Sequence, residues 1–144
     1  MNKYTEMKNR HQKEFNNFPM QFAFNKQQFE EGMKNLGITP EQTDKIYKLS
    51  GTGGFYLKSD SEKLHRLLEK NNKELQDAID NDKTGENFIF DMFNYELANH
   101  EYCYTRSTES TLDALGYTQK NIDNNDNLKN GLRKAIAYQL KHNN

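Results

Sequence analysis

The chain has 144 residues, enough for one domain with a sizeable core and short for two. Its 20 Lys+Arg against 21 Asp+Glu leave a net charge of -1, which excludes a globally basic nucleic-acid binder but not a local basic face. Only 33% of residues are hydrophobic, yet nine Phe and eight Tyr bury large areas per residue. The expectation is a folded chain with a lean aromatic core, one that leaves room for completion by a partner or by a homodimer.

A single cysteine rules out an internal disulfide and a Cys-only zinc site, and fits a reducing compartment. No window approaches 18 consecutive apolar residues, and the opening MNKYTEMKNRHQKEF has no apolar signal region. The expected setting is cytoplasmic, without a membrane.

In chain order, Tyr4, Met7, His11, Phe15 and Phe18 recur at spacings of three and four, one face of a helix that must end before Pro19. Residues 20–24 alternate in the manner of a short strand, and Asn25 is placed to cap a helix carrying Phe29, Met33 and Leu36, with Gly37 as its stop. Thr39 and Pro40 read as the cap and first turn of a further helix through Ile46, Tyr47 and Leu49. SGTGG (Ser50–Gly54) breaks the chain, and 55–58 reads as a second strand, able to pair with 20–24 as a ribbon.

Ser59–Glu62 matches a capping box before an amphipathic helix with Leu64, Leu67, Leu68, Leu75, Ala78 and Ile79 inward. Residues 81–85 form a turn. A helix is expected from about Glu86 to Cys103, a short one from about Thr108 to Leu115 closed by Gly116, and a last one from about Asn125 to Lys141. Leu36-Gly37-Ile38-Thr39 and Leu115-Gly116-Tyr117-Thr118 share a helix, glycine stop, apolar plug and threonine cap, which reads as recurring corner chemistry. The fold class is therefore mainly α, a single-domain bundle (1–144) of six or seven helices with one short two-stranded ribbon.

NYELANHEYCYT (Asn94–Thr105) concentrates the reactive residue types. At 100° per residue, Ile89, Phe93, Glu96, His100 and Cys103 share one stripe flanked by Met92, Leu97 and Tyr104. Glu96 and His100 are the catalytic candidates, because a buried carboxylate beside an imidazole suits general acid–base work. The alternative is a structural pair that satisfies itself in an apolar seam. Glu96, His100 and Cys103 on that stripe could form part of a metal site, but it would need further ligands from His11, His65 or Asp91, and no second histidine lies at helical spacing from His100. No metal or cofactor is expected. Cys103 lies near a helix C-terminus, where the dipole disfavours thiolate.

SGTGG lacks the Lys-Ser/Thr and following helix of a phosphate loop, so Gly53 and Gly54 are candidates only for a mobile contact loop. The 36–49 corner invites a helix-turn-helix reading, but Lys45 and Lys48 there are offset by Glu41 and Asp44. Lys129, Arg133 and Lys134 on the last helix are the candidates for nucleic-acid contact, against the reading of a solvated face.

FNNFPMQFAFNKQQFEEGMKNLGI (Phe15–Ile38), DMFNYELANHEYCYT (Asp91–Thr105) and TLDALGYT (Thr111–Thr118) resemble small proteins of unassigned activity encoded by phages and conjugative mobile elements of low-GC bacteria. The resemblance spans most of the chain and carries no catalytic residue over. It implies a non-enzymatic protein that binds a host protein or protein–nucleic-acid complex, including an anti-defence or anti-CRISPR inhibitor. The competing expectation is a small hydrolase or metal-dependent nuclease built on Glu96 and His100. An enzyme requires a cleft reaching both residues. A binding protein leaves them sealed and shows an aromatic patch elsewhere.

Overall fold

The structure is a computed structural model that describes residues 2–142. Among these residues it holds eight α-helices and a three-stranded antiparallel sheet, a mainly α protein as expected. The chain divides into two compact units, one of the residues up to Arg10 together with Lys73 onward, the other of His11–Asn72. Helices α1 (Lys3–Asn16) and α3 (Ser61–Asn81) contribute to both. No helix among the described residues is long and apolar enough to cross a membrane.

The first unit is built around α4 (Phe88–Asn99) and α8 (Asp126–His142). Ile89, Met92, Phe93 and Leu97 bury one side of α4 against Leu128, Leu132 and Ala135 of α8, while Phe88, Phe90 and Tyr95 pack around the rest of it. Helix α4 is thus the surrounded one that its all-round apolar pattern predicts. Gly131 sets the closeness of the approach: a Cβ there would lie 2.5 Å from Ile89 Cγ2 and 2.6 Å from the Gly85 carbonyl.

The expected helix to Cys103 is broken. His100 caps α4, Glu101 takes a left-handed φ of 58°, and α5 (Tyr102–Thr105) starts in a new direction. Asn99 and His100 are weak helix formers, and the buried contacts of α4 end at Leu97, so little holds the old axis. Tyr104, placed beside the inner stripe by periodicity, is consequently exposed.

Helix α6 (Glu109–Leu115) ends at Gly116, and α7 (Gln119–Asp123) starts from a capping box of Thr118 and Asn121. The corner echo is physically real. Ile38 N–H reaches Met33 O at 3.1 Å and Tyr117 N–H reaches Leu112 O at 2.9 Å, the same Schellman closure over a left-handed glycine.

In the second unit α2 (Lys26–Asn35) is capped by Asn25, whose side chain accepts from Gln28 N–H, and lies over the sheet. Strands β1 (Gln21–Phe22), β2 (Ile46–Leu49) and β3 (Gly54–Leu57) take the order β1-β3-β2. The predicted pairing of the first strand with 55–58 is present as Gln21↔Phe55 and Phe22↔Gly54.

The predicted helix through Ile46, Tyr47 and Leu49 is corrected to strand β2, and the helix-turn-helix corner falls with it. Only a 3-10 turn, Thr43–Lys45, follows Pro40. The β-branched and aromatic residues then extend, because pairing with β3 buries Ile46 beside Met33 and Phe55. SGTGG becomes the hairpin joining β2 to β3. In it, Thr52 Oγ1 donates to Leu49 O at 3.0 Å and accepts from Gly54 N–H at 3.0 Å. The ribbon is therefore a three-stranded sheet with β3 in the centre.

Candidate interaction surface

Glu96 and His100 do not form the expected pair. Glu96 is buried at 4% exposure, and its neighbours are Lys8, with Nζ 3.8 Å from Oε1, and Tyr4. The Lys8 ammonium also sits 5.4 Å from the Tyr4 ring centroid and 5.3 Å from that of Tyr95, so the carboxylate shares one cation with two aromatic faces. Burial raises the Tyr4 hydroxyl pKa, and the Glu96 charge and hydrogen bond raise it further. Glu96 is thus buried between α1 and α4 beside Tyr4 and Lys8, and among the described residues its Oε1 accepts no hydrogen bond.

His100 is only half-buried and occupies the C-cap of α4. Alanine there should leave stability within about 0.5 kcal/mol, whereas Glu96→Ala should cost about 2 kcal/mol by stranding the Tyr4 hydroxyl and opening a void. Urea unfolding of the two variants checks this, and an equal effect would contradict the assigned partners.

The residues weighed as metal ligands are dispersed. Asp91 Oδ2 accepts from Lys3 N–H at 2.9 Å, His65 pairs with Glu69 at 2.9 Å, and Cys103 is free and half-buried. Among the described residues no three His, Cys, Asp or Glu side chains gather as a metal would require.

On α8, Lys129, Arg133 and Lys134 lie on the exposed side, opposite Leu128, Leu132 and Ala135. Lys134 pairs with Glu86 at 2.5 Å and Arg133 donates to Asn130 at 2.8 Å, so part of that charge is already answered within the unit. Gly53 holds a φ of 75° and its carbonyl accepts from Ala23 N–H, while a Cβ on Gly54 would press on Phe22 and Leu49. Both glycines serve the hairpin and border a cavity.

The sheet itself carries what periodicity did not reveal. Its two faces differ sharply. Phe55, Ile46 and Leu57 face α2, with Gly32 admitting the Phe55 ring and Phe29 lying 5.1 Å from it. The other face presents Phe22, Tyr47 and Leu49, exposed at 51%, 47% and 36%, and Phe24 just beyond β1 is 78% exposed. In residues 21–24 the bulky members of the alternation point outward and Ala23 points in, the reverse of the usual rule.

Tyr56 on the same face is covered by rings of Phe18 and Tyr47 at 5.8 and 5.9 Å. The strands with their hairpin, residues 20–25 and 45–58, hold Lys45, Lys48 and Lys58 and no Asp or Glu, with Asp44 and Asp60 flanking the second segment. The one sequence signal that could have marked this surface is the coincidence of QFAF and IYKL with a local absence of acids.

Fold and surface thus define a mainly helical protein whose small sheet shows an aromatic, lysine-bordered face. The chain belongs to the family of unknown function DUF7659, whose family model matches residues 3–138. No curated protein and no solved structure matches the chain.

Proposed function

We propose that the chain is a non-enzymatic interaction protein of a mobile genetic element, one that binds a host protein through the exposed face of its sheet and so modulates host machinery, anti-defence complexes included. The observation that carries this reading is the exposure of Phe22, Tyr47 and Leu49 on one face of a small sheet, with Phe24 exposed just beyond β1. Exposed large apolar groups of this kind, bordered by polar residues, mark interaction sites, and aromatic side chains dominate the energetics of such sites. The sealing of Glu96 supports the same reading, since the best acid–base candidate has its own structural partners. The resemblance to phage and conjugative-element proteins supplies the mobile-element setting.

The test is affinity capture from a host lysate with the wild-type protein, with Phe24→Ser/Tyr47→Ser and with Lys129→Glu/Arg133→Glu. A discrete host protein should be retained by the wild type and the α8 variant and lost by the sheet variant. Retention by the sheet variant with loss by the α8 variant would move the interface to the C-terminal helix and overturn the assignment.

A further inference from the structure

We propose that the open edge of β2 receives an extended acidic segment of a partner protein as a fourth strand. The inference rests on the reading of the chain as a host-protein binder and specifies the chemistry of the partner. Four observations converge on it.

First, β2 is an outer strand. All its pairings go to β3, and among the described residues no strand lies on its other side. An edge strand turns alternate N–H and C=O groups outward, and another extended chain satisfies them best. Second, Tyr47 and Leu49 stand exposed on one face of that edge, two residues apart, which is the spacing at which alternate side chains of an added strand meet them.

Third, a cavity borders each end of β2. One of about 420 Å³ is lined by residues including Phe29, Lys48 and Phe55, and one of about 410 Å³ by Ile38, Lys45, Leu57 and Lys58. Both have apolar walls and an ammonium, a combination suited to the aliphatic stem and carboxylate of glutamate. Fourth, Asp44 is the only carboxylate lining either cavity, against Lys45, Lys48 and Lys58, and none of these lysines forms a salt bridge among the described residues. Lys48 and Lys58 instead rest over Phe29 and Tyr47, at 5.4 and 5.2 Å.

These observations also select among occupants. A second copy paired edge to edge would set the same three lysines against each other, which disfavours it. A nucleic acid would match the lysines and rings but has no use for the outward backbone groups. The fitting strand alternates acidic residues, directed to the α2 side beside Lys48, with apolar residues against Tyr47 and Leu49.

The probe is a capped, fluorescein-labelled peptide Glu-Val-Glu-Val-Glu-Val-Glu, titrated against the full chain by fluorescence anisotropy. Its comparators are the same peptide N-methylated at every residue, the Lys-for-Glu peptide, and a labelled twelve-residue oligothymidylate. Saturable binding of the acidic peptide is expected, weakened at least about tenfold by N-methylation, which removes the ladder donors, and weakened similarly by Lys48→Glu in the protein. The N-methylated comparator keeps the test independent of how any variant folds.

Equal binding of the N-methylated peptide would overturn strand addition, because charge and apolar contact alone would then explain the affinity. Binding of the oligothymidylate in place of the acidic peptide would assign the face to nucleic acid. Failure of the acidic peptide while Phe24→Ser/Tyr47→Ser still abolishes host capture would sink this inference and leave the broader reading standing. Failure in both assays would sink both.

Discussion

Replacing Gly131 with alanine is expected to destabilise the first unit by about 2 kcal/mol, and replacing it with valine by roughly twice that. The new Cβ would meet Ile89 Cγ2 at 2.5 Å and the Gly85 carbonyl at 2.6 Å, and neither obstacle yields easily. Ile89 is 1% exposed and belongs to the main core cluster of the first unit. Gly85 is fixed by a φ of 83°, by its N–H bond to Asp82 at 2.9 Å, and by Asn127, whose backbone lies where its own Cβ would go. Alanine gains about 1 kcal/mol of helix propensity over glycine, which is why its net cost stays below the raw overlap. Valine gains less helix propensity over glycine and adds bulk at the same contact. Thermal and urea unfolding of the wild type, Gly131→Ala and Gly131→Val measure the series. An alanine variant as stable as the wild type would show that α4 and α8 separate without cost, contrary to their packing.

Asp82→Ala is expected to cost about 3 kcal/mol. This carboxylate is 4% exposed and organises the whole turn between α3 and α4. Its Oδ1 accepts from Gly85 N–H at 2.9 Å and Thr84 N–H at 3.3 Å. Its Oδ2 accepts from Asn87 N–H and Ile89 N–H, both at 3.0 Å. The last two are donors at the start of α4 that no turn of that helix can satisfy, and the negative charge also complements the helix dipole there. Asn130 Nδ2 donating to Thr84 O at 2.8 Å then ties the turn to α8.

The same residue should write a pH signature. Burial is the largest single influence and raises the Asp82 pKa, but the N–H groups of Ile89, Asn87, Gly85 and Thr84 together outweigh it, and the net shift is downward from 3.8. A carboxylate with a depressed folded pKa contributes stability that is present above its unfolded value. That contribution is lost as pH falls through the folded value. The wild type should therefore lose stability below about pH 4 more steeply than Asp82→Asn, which keeps one acceptor oxygen but cannot ionise. Parallel acid titrations of the unfolding midpoint would expose identical slopes if Asp82 stayed protonated in the fold.

Much of the fold was legible in short-range pattern. Tyr4 and Met7, Phe29 and Met33, and Leu128, Leu132 and Ala135 keep the inward faces their spacing assigns. Gly37 and Gly116 close helices as expected because only a residue tolerant of positive φ completes the Schellman turn without strain. The turn at 81–85 was readable from Asn-Asp-Lys-Thr-Gly, but not the use of Asp82, since its most telling acceptor bond reaches seven residues on to Ile89.

The misread elements share one cause. Thr39-Pro40 looks like a helix start, and residues 41–49 contain nothing that forbids helix. What makes Ile46–Leu49 a strand is β3, whose partnership lies across a hairpin and under α2. Glu96 and His100 fall on one stripe of an ideal helix, but the helix stops between its last buried contact, Leu97, and Tyr102. Glu96 then finds Lys8 and Tyr4, more than eighty residues away in sequence.

By itself, the sequence determined the helical class, most helix boundaries and the glycine-stopped corners, because these depend on propensity, capping and periodicity within a few residues. Only the tertiary structure decided which polar groups met and which aromatic residues stayed exposed. Whether Phe22, Phe24 and Tyr47 end up in a core or in water depends on what another part of the chain brings to that face. Here α2 covers the face of Ala23 and Phe55, and the face of Phe22 and Tyr47 remains open.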